Sequence, residues 1–302
     1  MKDLISIDSL NIDEIDEIFA DADFYFYNPH VQNNDLSNKL LINFFFENST
    51  RTRMSFEIAG KKMGAKVINL DISLSSLKKG ESIIDTAKTI NAMSPDFVAI
   101  RHNSSGIVEL LKQHINCSLI NAGDGTNEHP SQALLDFFII KKYRPNIRSL
   151  KIAICGDVLH SRVARSNIKL LSKLGCKISV ITPPTLMPHG FREWLGKSYN
   201  IEVFDNLLSG IKNVDIIMLL RIQQERMVGS YISSLGEYFR LYGLDHDKIK
   251  LANNPLIMHP GPINRGVEIS SELADDKNVS LILPQVSAGV AVRQAILKFL
   301  AK

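Results

Sequence analysis

The chain has 302 residues, of which 45% are hydrophobic and 22% are charged, and it contains 17 glycines and 11 prolines. This composition is typical of a soluble globular protein and excludes a fibrous or largely disordered one, while the length suggests two domains. The formal net charge of +3 is too small for a protein that coats nucleic acid, although it allows a local anion site.

The cysteines and the apolar segments indicate the cell compartment of the protein. Cys117, Cys155 and Cys176 form no CxxC pair, so neither a zinc knuckle nor a disulfide framework is indicated, and reduced thiols are expected. The long apolar run at 216–220 is far shorter than the about 20 residues of a membrane span. The acidic residues at 13–17 interrupt any signal-peptide core. We therefore expect a cytoplasmic protein with neither a membrane nor a nucleic-acid partner.

In the first half of the chain, helical and strand patterns alternate. Asn11 and Glu14 have the spacing of a capping box, so a helix should start near Asn11. Its predicted apolar face comprises Ile12, Ile15, Ile18 and Phe19. The elements that follow are a strand at 40–46, a helix at 49–64 that stops at Gly64, a strand at 67–70, a polar loop at 71–80, a helix at 81–93 and a strand at 97–100.

The second half repeats this layout, with strands at 151–155, 177–181 and 214–220 and a helix at 162–174. Alternation of this kind predicts an α/β fold with two domains, each a parallel sheet flanked by helices, joined by bridging helices. The predicted domains are residues 1–130 and 146–288, bridged over 131–145 by a helix predicted to run from Pro130 to Tyr143. A C-terminal helix at 289–302 should pack back on the first domain.

The strongest chemical signal lies between Phe45 and Arg53, where a buried strand ends and a helix begins. The first-turn N–H groups of a helix lack intrahelical partners and carry a positive partial charge. The segment adds the hydroxyls of Ser49, Thr50 and Thr52 and the guanidinium of Arg51. These groups suit phosphate oxygens. An ordinary helix cap with two solvated arginines is the alternative interpretation.

This segment resembles the carbamoyl-phosphate signature of the aspartate/ornithine carbamoyltransferase family. Further matches to that family follow in order along nearly the whole chain, and together they are far more specific than any one alone. They are Arg101-His102, His129-Pro130-Ser131-Gln132, Arg221-Ile222-Gln223 and His259-Pro260-Gly261-Pro262.

The resemblance favours the aspartate branch of the family over the ornithine branch. The ornithine branch carries His-Cys-Leu-Pro late in the chain, where this sequence has His259-Pro260-Gly261-Pro262 without the cysteine. The aspartate branch carries a serine-rich loop ending in Lys-Gly-Glu, matched by 75–81, and Arg-x-Gln-x-Glu-Arg, matched by 221–226. The implied reaction is carbamoyl transfer from carbamoyl phosphate to the amine of L-aspartate, early in pyrimidine synthesis.

The resemblance also implies roles for individual residues. Thr52, Arg101 and His129 would point at the carbonyl oxygen of carbamoyl phosphate and carry catalysis. Glu47, Arg226 and Arg293 would brace a closed state. The carbamoyl-phosphate set is Ser49, Thr50, Arg51, Thr52, Arg101, His129, Gln132, Pro260 and Gly261. The aspartate set is Lys79, Arg162, Arg221 and Gln223, with Arg165 as the alternative to Arg162, and Ser75 and Lys79 would come from a neighbouring subunit.

Carbamoyl phosphate is already activated, so the implied mechanism needs neither a metal nor a cofactor. The family precedent is a homotrimer with shared active sites, which occurs alone, with regulatory chains or with dihydroorotase-like chains. Two other functions are weaker interpretations. An oxidoreductase would need Gly-x-Gly-x-x-Gly, and the segment from Gly156 lacks the later glycines. A non-catalytic scaffold would not need every signature position to be intact.

Overall fold

The computed structural model describes residues 2–71, 80–191, 193, 199, 201–227, 229 and 231–302. The chain divides into two compact units. The first runs to Phe138 and takes in Val286–Lys302, and the second is Ile139–Gln285. Among the described residues, no helix is long and apolar enough to cross a membrane.

The first unit contains a parallel sheet with the strand order β2-β1-β3-β4. Its middle strand β1 pairs with β2 and β3 on either side, with Phe45 beside Arg101 at the carboxyl end. The elements up to the bridging helix are α1 (Ile12–Tyr27), β1 (Leu40–Phe45), α2 (Thr50–Lys62), β2 (Lys66–Asp71), α3 (Ile83–Ala92), β3 (Phe97–His102), α4 (Ile107–Lys112) and β4 (Ser118–Asp124).

The start of α1 confirms the predicted capping box. Asn11 accepts from the Glu14 backbone N–H at 2.8 Å, and the Glu14 carboxylate accepts from the Asn11 N–H at 3.1 Å. Ile15 and Ile18 are buried, as predicted. The prediction was wrong for Ile12, the first residue of the helix, whose side chain is 49% exposed.

The bridging helix α5 (Pro130–Tyr143) has the predicted bounds. The C-terminal helix α11 (Ile282–Leu300) begins seven residues before the predicted Gly289. Pro284 lies in the first turn, where a proline removes an N–H that has no intrahelical partner anyway. The helix therefore continues through it.

The second unit contains a parallel sheet with the strand order β7-β6-β5-β8-β9. The predicted strand at 214–220 is shorter at both ends. Isoleucine, leucine and valine from strands and helices form most of a buried core in this unit. The elements are β5 (Lys151–Cys155), α6 (Arg162–Lys173), β6 (Lys177–Ile181), β7 (Ile201–Phe204), α7 (Leu207–Gly210), β8 (Ile216–Leu219), α8 (Leu235–Tyr242), α9 (His246–Ile249), β9 (Leu256–Met258) and α10 (Ser271–Asp275).

Gly156 lets the chain turn sharply where β5 ends. Its φ is +124°, and a Cβ there would lie 2.8 Å from the carbonyl oxygen of Leu220. Both the backbone conformation and the close approach of the next strand's end require a residue without a side chain.

We predict that Gly156→Ala lowers the free energy of unfolding by about 3 kcal/mol, since it adds a clash to an unfavourable φ. Gly175→Ala is the matched control, because Gly175 also has a positive φ (+79°) but no atom within 4 Å of the added carbon. Its cost should be about 1 kcal/mol. Urea unfolding followed by circular dichroism would measure both, and equal losses would contradict the close-approach argument.

Candidate active site

The predicted phosphate-binding segment lies where β1 ends and α2 begins. Ser49 is the N-cap residue of α2, but its side chain makes no capping hydrogen bond. Thr52 is buried in the first turn, whereas Thr50 and Arg51 are exposed. The first turn contains no acidic residue. Hydroxyls, one guanidinium and the positive end of the helix thus meet at one sheet edge, which is a favourable arrangement for an anion.

Arg101 is the penultimate residue of the neighbouring strand β3 and lies in contact with both adjacent segments. Its Nε is 3.2 Å from a carboxylate oxygen of Glu47, which follows β1. A terminal guanidinium nitrogen donates to the carbonyl oxygen of Ala122 in β4 at 3.3 Å. Glu47, expected to brace a closed state, is therefore the ion-pair partner of a candidate catalytic cation in this structure.

His129 lies between β4 and α5 and is buried, with 3% of its surface exposed. Its Nδ1 is 3.5 Å from the hydroxyl of Ser131. Gln132, in the first turn of α5, is 8% exposed, and its amide nitrogen donates to Asp136 at 2.9 Å. Because β1, β3 and β4 are parallel and their carboxyl ends share one edge, the sheet brings the segments of Thr52, Arg101 and His129 together.

A buried carboxylate that the sequence analysis missed holds the loop before His129. Asp124 ends β4 with 1% of its surface exposed. It accepts from the backbone N–H groups of Gly106 at 2.7 Å and Glu128 at 3.1 Å, and from the amide of Asn121 at 2.8 Å. These bonds fix the loop after β3 to the loop after β4, although nothing in the local sequence pattern reveals such pairs.

In the second unit, the predicted aspartate ligands follow β5 and β8, which are adjacent strands. Arg162 is the first residue of α6 and is buried. Arg165 lies one turn later, with its guanidinium 6.0 Å from the centre of the Phe191 ring, and burial lowers its pKa. Both arginines remain candidates on this geometry.

Asp157 and His160 connect the loop before Arg162 to the segment after β8. Asp157 is fully buried; its carboxylate lies 2.9 Å from His160 Nδ1 and accepts from the Gln223 N–H at 3.3 Å. The carbonyl oxygen of His160 in turn accepts from Gln223 at 2.9 Å and from Arg226 at 3.2 Å. These contacts make His160 part of the support for Gln223.

Arg221 forms an ion pair with Glu225. Burial lowers the pKa of the Arg221 guanidinium, and the carboxylate of Glu268 opposes that shift. Glu268 is itself buried and accepts from the Ile222 N–H at 2.8 Å. A partly buried cation held by neighbouring acids is suited to receive the carboxylate of a ligand.

Pro260 and Gly261 follow β9, the next strand of the same sheet. Here His259 is 1% exposed, and its Nδ1 accepts from the Gly261 N–H at 2.8 Å. Its own backbone N–H donates to Gln285 at 2.9 Å. These bonds fix the loop whose carbonyl groups are the predicted partners of a carbamoyl amide.

Two predicted site residues, Ser75 and Lys79, lie outside the described residues. Within the described ranges, no group of three or more His, Cys, Asp or Glu side chains is arranged to hold a metal ion.

Comparisons with known proteins place these features in a family. The model described as the carbamoyl-phosphate-binding domain of aspartate/ornithine carbamoyltransferases matches residues 2–142, and the one described as the aspartate/ornithine-binding domain matches residues 148–300. The aspartate carbamoyltransferase catalytic subunit of Parvibaculum lavamentivorans is 52% identical over 100% of this chain and 92% of its own. That of Roseobacter denitrificans is 50% identical, over 100% and 96%.

Solved structures agree on the fold. Aspartate transcarbamoylase from Trypanosoma cruzi, in complex with N-(phosphonacetyl)-L-aspartic acid, has a TM-score of 0.86 at 27% identity, covering 98% of this chain and 94% of its own. Ornithine carbamoyltransferase from Pyrococcus furiosus has a TM-score of 0.87 at 25% identity, with 98% and 96% covered. Structural similarity therefore extends to both branches, while the relatives with about half of their residues identical bear the aspartate name.

We predict that Asp124→Ala lowers the free energy of unfolding by about 3 kcal/mol, because it leaves buried backbone N–H groups without an acceptor. Asp247→Ala is the control: its carboxylate is 89% exposed and pairs only with Lys250 among the interactions described, so the change should stay within about 0.5 kcal/mol. Thermal unfolding of the two variants would measure the difference. A stable Asp124→Ala protein would contradict the proposed loop connection.

Proposed function

The chain belongs to the aspartate/ornithine carbamoyltransferase family, and on that premise we infer its reaction. It is an aspartate carbamoyltransferase, which transfers the carbamoyl group of carbamoyl phosphate to the amine of L-aspartate and releases N-carbamoyl-L-aspartate and phosphate. This is the early step of pyrimidine synthesis that the family resemblance implies.

The observation that carries the reaction is the set of groups at the carboxyl edge of the first sheet. The α2 amino terminus follows β1, Arg101 lies at the carboxyl end of the adjacent strand β3, and the His129 segment follows β4, the next strand of the sheet. They supply hydrogen-bond donors for a phosphate beside hydrogen-bond donors for a carbonyl oxygen, and a carbamoyl phosphate site needs both. We propose that Ser49, Thr50, Arg51 and Thr52 bind the phosphate and that Arg101, His129 and Thr52 face the carbonyl oxygen.

The chemistry then follows from charge. The neutral α-amine of aspartate attacks the carbamoyl carbon, and negative charge develops on the former carbonyl oxygen. Thr52, Arg101 and His129 stabilise that charge, and the loss of one such donor typically costs about 10²–10³ in rate. Phosphate leaves with the electron pair of the broken C–O bond and is stabilised by Arg51 and the helix terminus. Positioning and electrostatics supply most of the acceleration.

Most of the remaining proposed ligands are residues that follow β5, β8 and β9. Arg221, Gln223 and Lys79 would bind the aspartate carboxylates together with Arg162, which we favour over Arg165. Arg162 directly follows the loop that Asp157 and His160 connect to Gln223. The carbamoyl amide would meet acceptors from Gln132, Pro260 and Gly261.

We propose the domain roles that the two family models describe: carbamoyl phosphate binds to residues 1–130, with 289–302 packed against them, and aspartate to 146–288, with 131–145 as the bridge. A cytoplasmic location is supported by the three cysteines, which are all buried and free. Such thiols fit a reducing compartment.

We also propose a homotrimer with shared sites, in which Ser75 and Lys79 act in the neighbouring subunit. Large apolar side chains stand exposed on α2 and β2, the two elements that precede their loop in the chain. Met54 and Ile58 on α2 are 50% and 39% exposed, and Ile68 on the edge strand β2 is 46% exposed. Exposed apolar residues beside an edge strand are suited to burial by another chain. Such a trimer could also bind regulatory or dihydroorotase-like chains, as trimers of the family do.

We predict that the purified protein carbamoylates L-aspartate and leaves L-ornithine unchanged when both are offered with carbamoyl phosphate. The physical reason is the cationic set around Arg221, which attracts a dicarboxylate and repels a second amine. Chromatographic detection of the two carbamoylated products is the measurement, with EDTA expected to leave the rate unchanged. Comparable turnover of ornithine would refute the assignment to the aspartate branch.

We predict that Arg51→Ala and Arg221→Ala affect different substrates. Arg51→Ala should lower the maximal rate and abolish the thermal stabilisation that phosphate gives the protein. Arg221→Ala should chiefly raise the KM for aspartate. Lys61→Ala, which removes an exposed cation from the last turn of α2, is the control for Arg51. Phosphate stabilisation that survives in Arg51→Ala would exclude the phosphate role.

The shared site predicts recovery of activity in mixtures of two inactive variants. Lys79→Ala and His129→Ala proteins, exchanged under mild denaturant, would form rings in which some sites combine an intact His129 with a neighbour's intact Lys79. With equal amounts, about a quarter of the sites should be whole in a closed ring of heterologous contacts. If Lys79 served its own chain, subunit exchange confirmed by native mass would restore no activity.

A further inference from the structure

Asp136 is a fully buried carboxylate to which none of the roles above refers. It lies on α5 one turn after Gln132, and its relative exposure is 0%. Burying a carboxylate is costly unless it is paired and hydrogen-bonded. A residue kept in such a position next to a candidate substrate ligand calls for a chemical explanation.

The hydrogen bond between the two side chains fixes which way the Gln132 amide points. Gln132 Nε2 donates to Asp136 Oδ1 at 2.9 Å. A carboxylate only accepts hydrogen bonds, whereas an amide has one donating and one accepting end. Gln132 must therefore present its NH2 group to Asp136, and its Oε1 is the end left for a partner other than Asp136.

Arg293 supplies positive charge near Asp136 within the same unit. Arg293 is 3% exposed, donates to the Gly289 carbonyl oxygen at 3.0 Å and lies 5.0 Å above the Phe56 ring. Burial lowers the pKa of Arg293 to about 10, and the charge of Asp136 opposes that shift. The two opposite charges attract each other, which offsets part of the cost of burying both groups.

We propose that Asp136 is a positioning residue that determines the choice of carbamoyl donor by holding Gln132 with its Oε1 turned toward the substrate. This proposal rests on the proposed function, in which Gln132 meets the NH2 group of carbamoyl phosphate. That NH2 group is a hydrogen-bond donor. An acceptor oxygen complements it, whereas a Gln132 amide turned the other way would set one NH2 group against another.

The same orientation disfavours an acyl phosphate that lacks the NH2 group. Acetyl phosphate has nearly the same shape, with a methyl group in place of NH2, and it offers no donor to Gln132 Oε1. An acceptor left without a donor loses its hydration and gains nothing, which is how sites reject isosteric analogues. Transfer from acetyl phosphate would follow the same steps: the amine forms the N–C bond, the C–O bond breaks onto phosphate, and the amine proton passes to phosphate or solvent.

The experiment compares kcat/KM for carbamoyl phosphate with kcat/KM for acetyl phosphate in the full-length protein. Asp136→Leu removes the acceptor at similar volume, so Gln132 loses its fixed orientation. We expect the ratio of the two values to fall by about 10-fold or more. Asp96→Leu is the matched control: Asp96 accepts from the Leu40 N–H at 2.8 Å and pairs with Lys39. It should lower thermal stability while leaving the ratio within about twofold.

The same substitution made in the Gln132→Leu protein distinguishes a positioning role of Asp136 from simple support of the fold. In Gln132→Leu protein, adding Asp136→Leu should not change the ratio further, because Asp136 acts through Gln132. An unchanged ratio in folded, active Asp136→Leu would overturn the proposal, and so would an equally large additional fall in the Gln132→Leu background.

Two further measures keep the test decisive. If Asp136→Leu does not fold, Asp136→Asn replaces it. Asparagine can donate as well as accept, so the ratio should fall to a value between that of the wild type and that expected for Asp136→Leu. No fall would contradict the proposal. If acetyl phosphate is not turned over, its inhibition constant against carbamoyl phosphate replaces kcat/KM. Wild-type protein that fails to carbamoylate aspartate would refute the proposed function instead.

Discussion

A carboxylate that is taken out of water must find donors inside the protein, because leaving it bare costs several kcal/mol. In this protein that requirement organises the loops at the carboxyl ends of both sheets. Asp124 joins the loops after β3 and β4, Asp157 joins those after β5 and β8, and Glu268 binds the segment after β8 to the loop after β9. Each acid accepts from backbone N–H groups, so each fixes main chain rather than only side chains.

This arrangement separates the groups that hold the loops from the groups that would meet the substrates. The buried acids lie within the loops, and the candidate ligands are cations, hydroxyls and amides at the strand ends. Catalysis by positioning requires ligand groups that keep their places without the substrate. Loops that are fixed by several backbone hydrogen bonds to buried carboxylates keep the ligand groups in such places.

The sequence predicted what depends on local pattern. The capping box at Asn11, the bounds of α5 and the start of α2 follow from residues close together in the chain. The hydrogen bonds of Asp124, Asp157 and Glu268 could not be predicted, because they join segments that are distant in sequence and leave no periodic signal. The Gln132–Asp136 pair is an exception: its i, i+4 spacing on a predicted helix was readable. The strands β7 and β9 were not predicted, because Glu202 interrupts the apolar residues of β7 and β9 has only three residues.

The ion pairs of Arg101 with Glu47 and of Arg221 with Glu225 have a consequence for ligand binding. Each of these two arginines already pairs with a carboxylate of its own chain, so a ligand group that is to bind there must compete with an internal acid. At Arg221, the proposed binding of an aspartate carboxylate would therefore exchange one anion for another. Such an exchange depends less on ionic strength than attraction to an unpaired charge would, because salt weakens the internal pair and the substrate contact alike.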